Sequence, residues 1–232
     1  MIVSFEQMLE KAKHGEPMVL AGAAAQDADT IKAMAAAEKA GMIRPVLVGD
    51  LSVIRRVMQE ENITFCNARL VQAADMAEAC DKAVELVRRG EADFLMKGLV
   101  DTNIFLKAIL NKETGLPVHG LLSHVMTFDT MGAYHKLMIT SDGGMVLYPT
   151  LEQKIDIIKN CLPVAKALEI EEPKVAVLCA KEKVNPKMPA TVDAAELKKL
   201  GEAGEFGADV LVEGPIAMDL AVSAHCAEVK GY

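Results

Sequence analysis

Apolar residues in this chain fall into two alternating patterns: short unbroken runs, and longer stretches in which they recur every three or four positions. The periodic stretches predict amphipathic helices and the short runs predict buried strands. The reading opens with a helix over 5–13, capped by Ser4 and stopped at Gly15, then a strand at 17–22 (PMVLAG). A helix at 29–39, a strand at 45–48 (PVLV), a helix at 51–59 and a strand at 69–72 follow. Next come a helix at 76–89 ended by Gly90, a strand at 93–96 (DFLM) and a helix running to residue 110. Strands are expected at 120–128 and 136–140, with a turn at 131–133 between them. Thr150 caps a helix over 151–168, which leads to a strand at 174–179 (KVAVLC) and a polar loop at 181–189. A helix at 192–205, a strand at 209–212, a break at 213–215 and a helix at 218–229 complete the pattern.

Strands and helices in alternation predict βαβ units, hence an α/β fold of mainly parallel sheets with flanking helices. Turn chemistry at 141–144 (SDGG), with Pro149 close behind, marks a boundary between a first α/β domain, 1–141, and a second, 142–232. The second domain shows about two strands, few for covering its helices, so it is expected to be incomplete at its C-terminus.

Composition narrows the classes. The 232 residues are 51% hydrophobic with 14 Met and no Trp, which suits helices packed on buried strands and not an aromatic platform for single-stranded nucleic acid. A net charge of −8 argues against a phosphate-backbone binder, so no nucleic-acid partner is expected. No apolar stretch approaches the roughly 18 residues of a membrane helix, and the start MIVSFE is not a signal peptide. A cytoplasmic protein without a membrane partner is expected. The five cysteines form no CxxC and the five histidines no HExxH, so reduced thiols and no metal site are expected.

Ligands of parallel α/β sheets gather where strands end and helix N-termini face outward. Five segments qualify. The small residues of 22–27 allow a ligand close approach, and serve equally as packing. At 97–103 (KGLVDTN) a cation and a glycine follow a buried strand directly. There Lys97, the Gly98 backbone and the helix start at Asp101, Thr102 and Asn103 would form an anion site, although Asp101 or Thr102 also reads as a plain cap. Ser123 and His124 lie late in an apolar run, where a histidine is as readily a core residue. Ser141, Asp142, Gly143 and Gly144 lie at the expected boundary. Glu213, Gly214 and Pro215 follow the last strand with Asp219 behind them, where a helix-start carboxylate also suits the dipole. All six arginines (44, 55, 56, 69, 88, 89) precede residue 90, so either Lys97 and backbone donors suffice for phosphate or an essential arginine is missing from this chain.

Four segments in order, FLMKGLVDTNIFLKAIL (94–110), GLLSHVMTF (120–128), ITSDGGMVLYPTLEQK (139–154) and VLVEGPIAMDLAVS (210–223), resemble the phosphate acetyl/butyryl transferase family. The resemblance implies two domains like those of the isocitrate and isopropylmalate dehydrogenases, with the active site in the cleft between them. It implies exchange of a short acyl group, butanoyl or acetyl, between coenzyme A (CoA) and orthophosphate, no metal or redox cofactor, and a homodimer or higher homo-oligomer. It also implies phosphate or oxyanion contacts from Lys97, Gly98 and Thr102, cleft hydroxyls at Ser123 and Ser141, and a second wall carrying Asp142 and Asp219. On this resemblance, Lys97, Thr102, Ser123 and Asp219 are the catalytic candidates. Gly98, Asp101, Asn103, His124, Ser141, Asp142, Gly143, Glu213 and Pro215 are the substrate-binding ones. Family members are longer, and their tails hold a Ser-Arg segment and an Asp that serve the phosphate and the thiol. On that ground the chain is expected to be a C-terminally truncated member with little activity alone. Two alternatives stay open: a non-catalytic module binding CoA or acyl phosphate, and a metal-dependent dehydrogenase of the same fold. Met126, Met138, Met145 and Leu147 are candidates for an acyl pocket and equally for core.

Overall fold

The apolar run of the first strand is flanked by small residues, and this decides how closely helices approach it. The structure, a computed structural model, describes residues 1–116, 120–131 and 134–231. They form two compact units: Leu9–His119 is one, and Met1–Met8 with Gly120–Tyr232 is the other. After helix α1 (Phe5–Lys13) come β1 (Met18–Ala23), α2 (Ala28–Lys39), β2 (Ile43–Gly49), α3 (Leu51–Glu60), β3 (Arg69–Gln72), α4 (Met76–Arg88), β4 (Phe94–Lys97) and α5 (Thr102–Ile109). The four strands form one parallel sheet in the order β3-β2-β1-β4.

Side chains alternate along β1 into two cores. Ala21 and Ala23 join Val46 and Val48 against Ala79, Cys80 and Ala83 of α4 and Ala108 of α5. Leu20 joins Ile43 and Leu47 against Ile31 and Met34 of α2 and Ile54 of α3. Burying each large aliphatic side chain here contributes about 2 kcal/mol. Helices therefore cover both faces of this sheet, as an all-parallel sheet requires. Asp27, Asp50, Asp75 and Asp101 cap α2, α3, α4 and α5 by accepting amide hydrogens of their first turns.

In the second unit, β5 (Met126–Phe128) and β6 (Met138–Thr140) pair antiparallel. Helix α6 (Leu151–Ala167), β7 (Lys174–Leu178), α7 (Pro189–Glu202), β8 (Leu211–Ile216), α8 (Met218–Val222) and α9 (Ala224–Lys230) follow. Strands β7 and β8 are parallel, and α6 and α7 cover one face of them through Ile158, Leu197, Val175, Val177 and Val212. Thr150 and Gln153 form a full capping box on α6.

Several sequence expectations are corrected. The strand expected at 120–128 is only Met126–Phe128, and it pairs antiparallel with Met138–Thr140 in a hairpin. The connection over 129–137 is shorter than the dozen or so residues a parallel crossover needs. Residues 132 and 133 of the expected turn lie outside the described residues. The expected break at 213–215 is inside β8 (Leu211–Ile216): its pairing with β7 shifts register between Ala176 and Leu178, which accommodates Pro215 without a ladder amide. Helix α7 begins at Pro189, whose fixed φ suits a first helical position. The last helix is two, divided at Ser223, which caps α9. The compact units part between 119 and 120, not between 141 and 142. Segment 120–141 is tied to the second unit by Asn160 of α6, which donates to Leu121 O at 2.8 Å, and by Asp142, which accepts the His124 N–H at 2.7 Å. Among the described residues no helix is long and apolar enough to cross a membrane.

Gly98 marks a very tight approach in the first unit. A Cβ there would collide with the backbone carbonyl oxygens of Ala24 and Ala23, which no side-chain rotation relieves. Gly98→Ala is expected to lower stability by about 2–3 kcal/mol in urea unfolding. Gly15→Ala, whose Cβ would sit 3.6 Å from Ala12 O, is expected to stay within about 0.5 kcal/mol.

Candidate functional site

Two groups of candidates emerge, one in each unit. In the first, the loop after β1 meets the loop after β4 along the carboxyl edge of the sheet. Asp27 joins them: Oδ1 accepts from Thr30 N at 2.9 Å and Oδ2 from Leu99 N at 3.1 Å. Burial alone would raise the Asp27 pKa, but these hydrogen bonds outweigh it and hold the carboxyl below its ordinary value. The Gly98 N–H donates to Ala23 O at 2.8 Å and Val100 N–H to Gly98 O at 2.9 Å.

Lys97, the last residue of β4, folds its ammonium back onto this loop, donating to Val100 O at 2.8 Å and Gly98 O at 3.4 Å. Asp101 is the cap of α5 and takes the Asn103 N–H at 2.7 Å. Lys97, Gly98, Asp101, Thr102 and Asn103 thus lie on one turn, on which Gly98 is buried and the other four are exposed. The structure corrects the role given to two of them. The amides of Gly98 and Asn103 are already engaged, so they do not point at a ligand; the Lys97 ammonium and the first turn of α5 at Thr102 are the remaining cationic and dipolar features.

In the second unit Asp142 is the organising group. Its Oδ2 accepts from His124 N at 2.7 Å, and its Oδ1 from Gly144 N and Met145 N at 2.7 Å each and Val146 N at 3.3 Å. Partial burial is the largest single influence and opposes ionisation. The four amide donors together overcome it and bring the carboxyl down to about 2. Ser141 Oγ donates to His124 O at 2.8 Å, so Ser141 and Asp142 grip both backbone polar groups of His124. The His124 ring lies over Gly143, where a Cβ would fall 2.8 Å from Nδ1. Ser123, His124, Ser141, Asp142 and Gly143 are therefore brought together. Asn160 belongs to the same cluster, its Nδ2 lying 2.8 Å from Ser123 Oγ. Cys161 also lies there: burial pushes its thiol pKa up, against the Ser141 hydroxyl. Neither residue was anticipated. The available signal was faint, a polar and a small residue side by side in a helix.

The remaining candidates stand apart from that cluster. Glu213 takes both oxygens to Lys198 Nζ, at 2.8 and 2.9 Å, and accepts the Gly214 N–H. Pro215 is buried inside β8. Both residues are members of β8. Asp219 pairs with Lys230 Nζ at 2.9 Å, and that bond holds its pKa below the ordinary value. A carboxylate so held is a poor proton acceptor while the pair lasts. Among the described residues no three His, Cys, Asp or Glu side chains group so as to hold a metal ion. Two shallow grooves, about 400 and 540 Å³, lie by Pro173 and Asp209, at the start of β7 and just before β8. Of the candidates they touch only Glu213.

Residues 73–232 match the family model described as phosphate acetyl/butaryl transferase. Phosphate butyryltransferase from Clostridium acetobutylicum is 42% identical over 231 residues, spanning 100% of this chain and 76% of that protein. Phosphate acetyltransferase from Thermotoga maritima is 38% identical over 226 residues, 97% of this chain and 76% of that one. Among solved structures, a branched-chain phosphotransacylase from Enterococcus faecalis superposes with a TM-score of 0.75 at 27% identity, covering 93% of this chain and 74% of that one. A phosphotransacetylase from Streptococcus pyogenes, at 18% identity, shares the fold with a TM-score of 0.80 over 98% of this chain and 77% of that one.

Asp142 generates a pH prediction. Its folded pKa lies below the ordinary 3.8. The stability it contributes is therefore present above about pH 4 and lost as pH falls toward 2. Asp142→Asn is expected to cost roughly 1 kcal/mol at pH 7, solvent screening included. In urea titrations at a series of pH values, the difference from wild type should shrink toward zero as pH approaches 2.

Proposed function

We propose, from the premise that this chain belongs to the phosphate acetyl/butaryl transferase family, that it moves a short acyl group reversibly between CoA and orthophosphate. The single observation that carries this reading is the match over essentially the whole chain to a phosphate butyryltransferase at 42% identity. A phosphate oxygen attacks the thioester carbonyl, the carbon–sulfur bond breaks, and acyl phosphate and CoA thiol result; the reverse returns the acyl group to sulfur. No electrons change hands, so no redox cofactor is called for, and CoA enters as a substrate.

The chemistry asks for cations and dipoles toward phosphate, donors toward the carbonyl oxygen as charge develops, and an acceptor for the thiol proton. Lys97 supplies the first: its ammonium now satisfies backbone carbonyls, and exchanging one for a phosphate oxygen makes a stronger, charge-assisted bond. Thr102, at the first turn of α5, adds a hydroxyl and the helix dipole. In the second unit, Ser123 and Ser141 supply hydroxyls, and His124 a ring held over Gly143. Asp142 is the scaffold of that cluster: saturated with amide donors, it fixes the loop instead of taking a proton. This reading treats the two units as domains of the isocitrate/isopropylmalate dehydrogenase kind. It expects a cytoplasmic homodimer or larger homo-oligomer.

Release of CoA thiol from acetyl-, propanoyl- and butanoyl-CoA, followed with a thiol reagent with and without orthophosphate, tests it. Orthophosphate-dependent release is expected, and Lys97→Ala should raise the KM for orthophosphate by roughly tenfold or more. A chain that neither releases thiol nor binds CoA or orthophosphate in calorimetry would overturn the reading.

A further inference from the structure

The geometry points to Asn160 as a positioning residue that sets the direction of the Ser123 hydroxyl. Asn160, half-buried on α6, has Nδ2 2.8 Å from Leu121 O and 2.8 Å from Ser123 Oγ. A backbone carbonyl can only accept, so the atom facing Leu121 O must be the amide nitrogen; this leaves one way for the side-chain amide to be turned. The second hydrogen of that nitrogen then meets Ser123 Oγ, which is obliged to accept. With its oxygen engaged in this way, the Ser123 hydroxyl must send its own proton elsewhere. No described residue is seen to accept it.

A hydroxyl held like this is a pre-oriented donor. It suits an oxygen whose negative charge grows during reaction, such as the carbonyl oxygen of a thioester under attack or a phosphate oxygen. One amide fixes both the backbone at Leu121 and the hydroxyl at Ser123, so the donor direction is held by α6 and not by the loop itself. Asn160 touches no reacting atom on this account; it acts through Ser123. The inference rests on the reading of Ser123 as a residue facing substrate.

The test is a double-mutant cycle on the full chain: wild type, Ser123→Ala, Asn160→Leu and the double variant, in the thiol-release assay. Asn160→Leu is expected to lower kcat about tenfold with the KM for acyl-CoA within about twofold. In the Ser123→Ala background, the same change should cost nothing further. If turnover of the wild type is too slow to divide, calorimetric affinity for inorganic phosphate is read across the four proteins, and the same non-additivity is expected. Equal losses from Asn160→Leu in both backgrounds would show a merely structural role and overturn the inference. Should Asn160→Leu not fold, the near-isosteric Asn160→Asp takes its place, the same rule applying. A Ser123→Ala variant indistinguishable from wild type removes Ser123 from the site and the inference with it. A wild type with neither turnover nor phosphate affinity defeats the functional reading itself.

Discussion

A buried parallel strand must have every backbone polar group paired, because no water is present to take its place, and the first unit is shaped by how β1 meets that demand. Residues 20–25 are almost wholly shielded from solvent, with β2 on one side, β4 on the other and helices on both faces. The pairing continues past the strand: Ala25 N–H reaches Val48 O, and Gly98 N–H reaches Ala23 O. Asp27 then takes the Leu99 amide. Small residues at 21–25 and at 98 follow from the resulting closeness of backbones. The same demand explains why the Gly98 amide is not an anion donor: the core has already claimed it.

In the second unit, the analogous demand falls on a loop with no strand beyond it. Asp142 satisfies four amides with one carboxylate, and Ser141 closes the other side of His124. Glycine at 143 is what lets the imidazole lie so close to the loop. Polar residues that sequence patterns present as possible reactive groups thus divide by how many backbone partners they hold. Asp142 is saturated by backbone amides and organises the loop around it, and Asp101 caps α5 through the Asn103 amide. Ser123 and Thr102 keep hydroxyls to offer, and Lys97 keeps an ammonium that can exchange partners.

Much of the fold was legible in sequence because it depends on local alternation. The strands of the first unit and helices α1 to α6 follow the apolar periodicity, the Asp and Thr caps and the glycine stops closely. The failures came where a distant partner decides. Segment 120–128 reads as one long apolar strand, yet only Met126–Phe128 finds a pairing edge. Pro215 reads as a break, yet a register shift against β7 absorbs it. The candidate site was legible to the same degree: the Lys97 turn and the 123–124 and 141–143 segments were identified, whereas Asn160 was not, since nothing local distinguishes its amide from that of a solvated helix residue. Glu213 was singled out by position alone, and its bond to Lys198 across α7 and β8 is invisible without the tertiary contact.

By itself the sequence determined the α/β class, the alternation of strands and helices, the family, and which segments carry polar chemistry at strand ends. Each of these depends on residue type and spacing along the chain. The tertiary structure alone decided which amides remain available, which carboxylates are locked by backbone donors or by lysines, and which helix holds the Ser123 hydroxyl. Hydrogen-bond partners separated by 17 to 72 residues cannot be read from spacing, because a donor is used up by whichever acceptor the folded chain brings within about 3 Å.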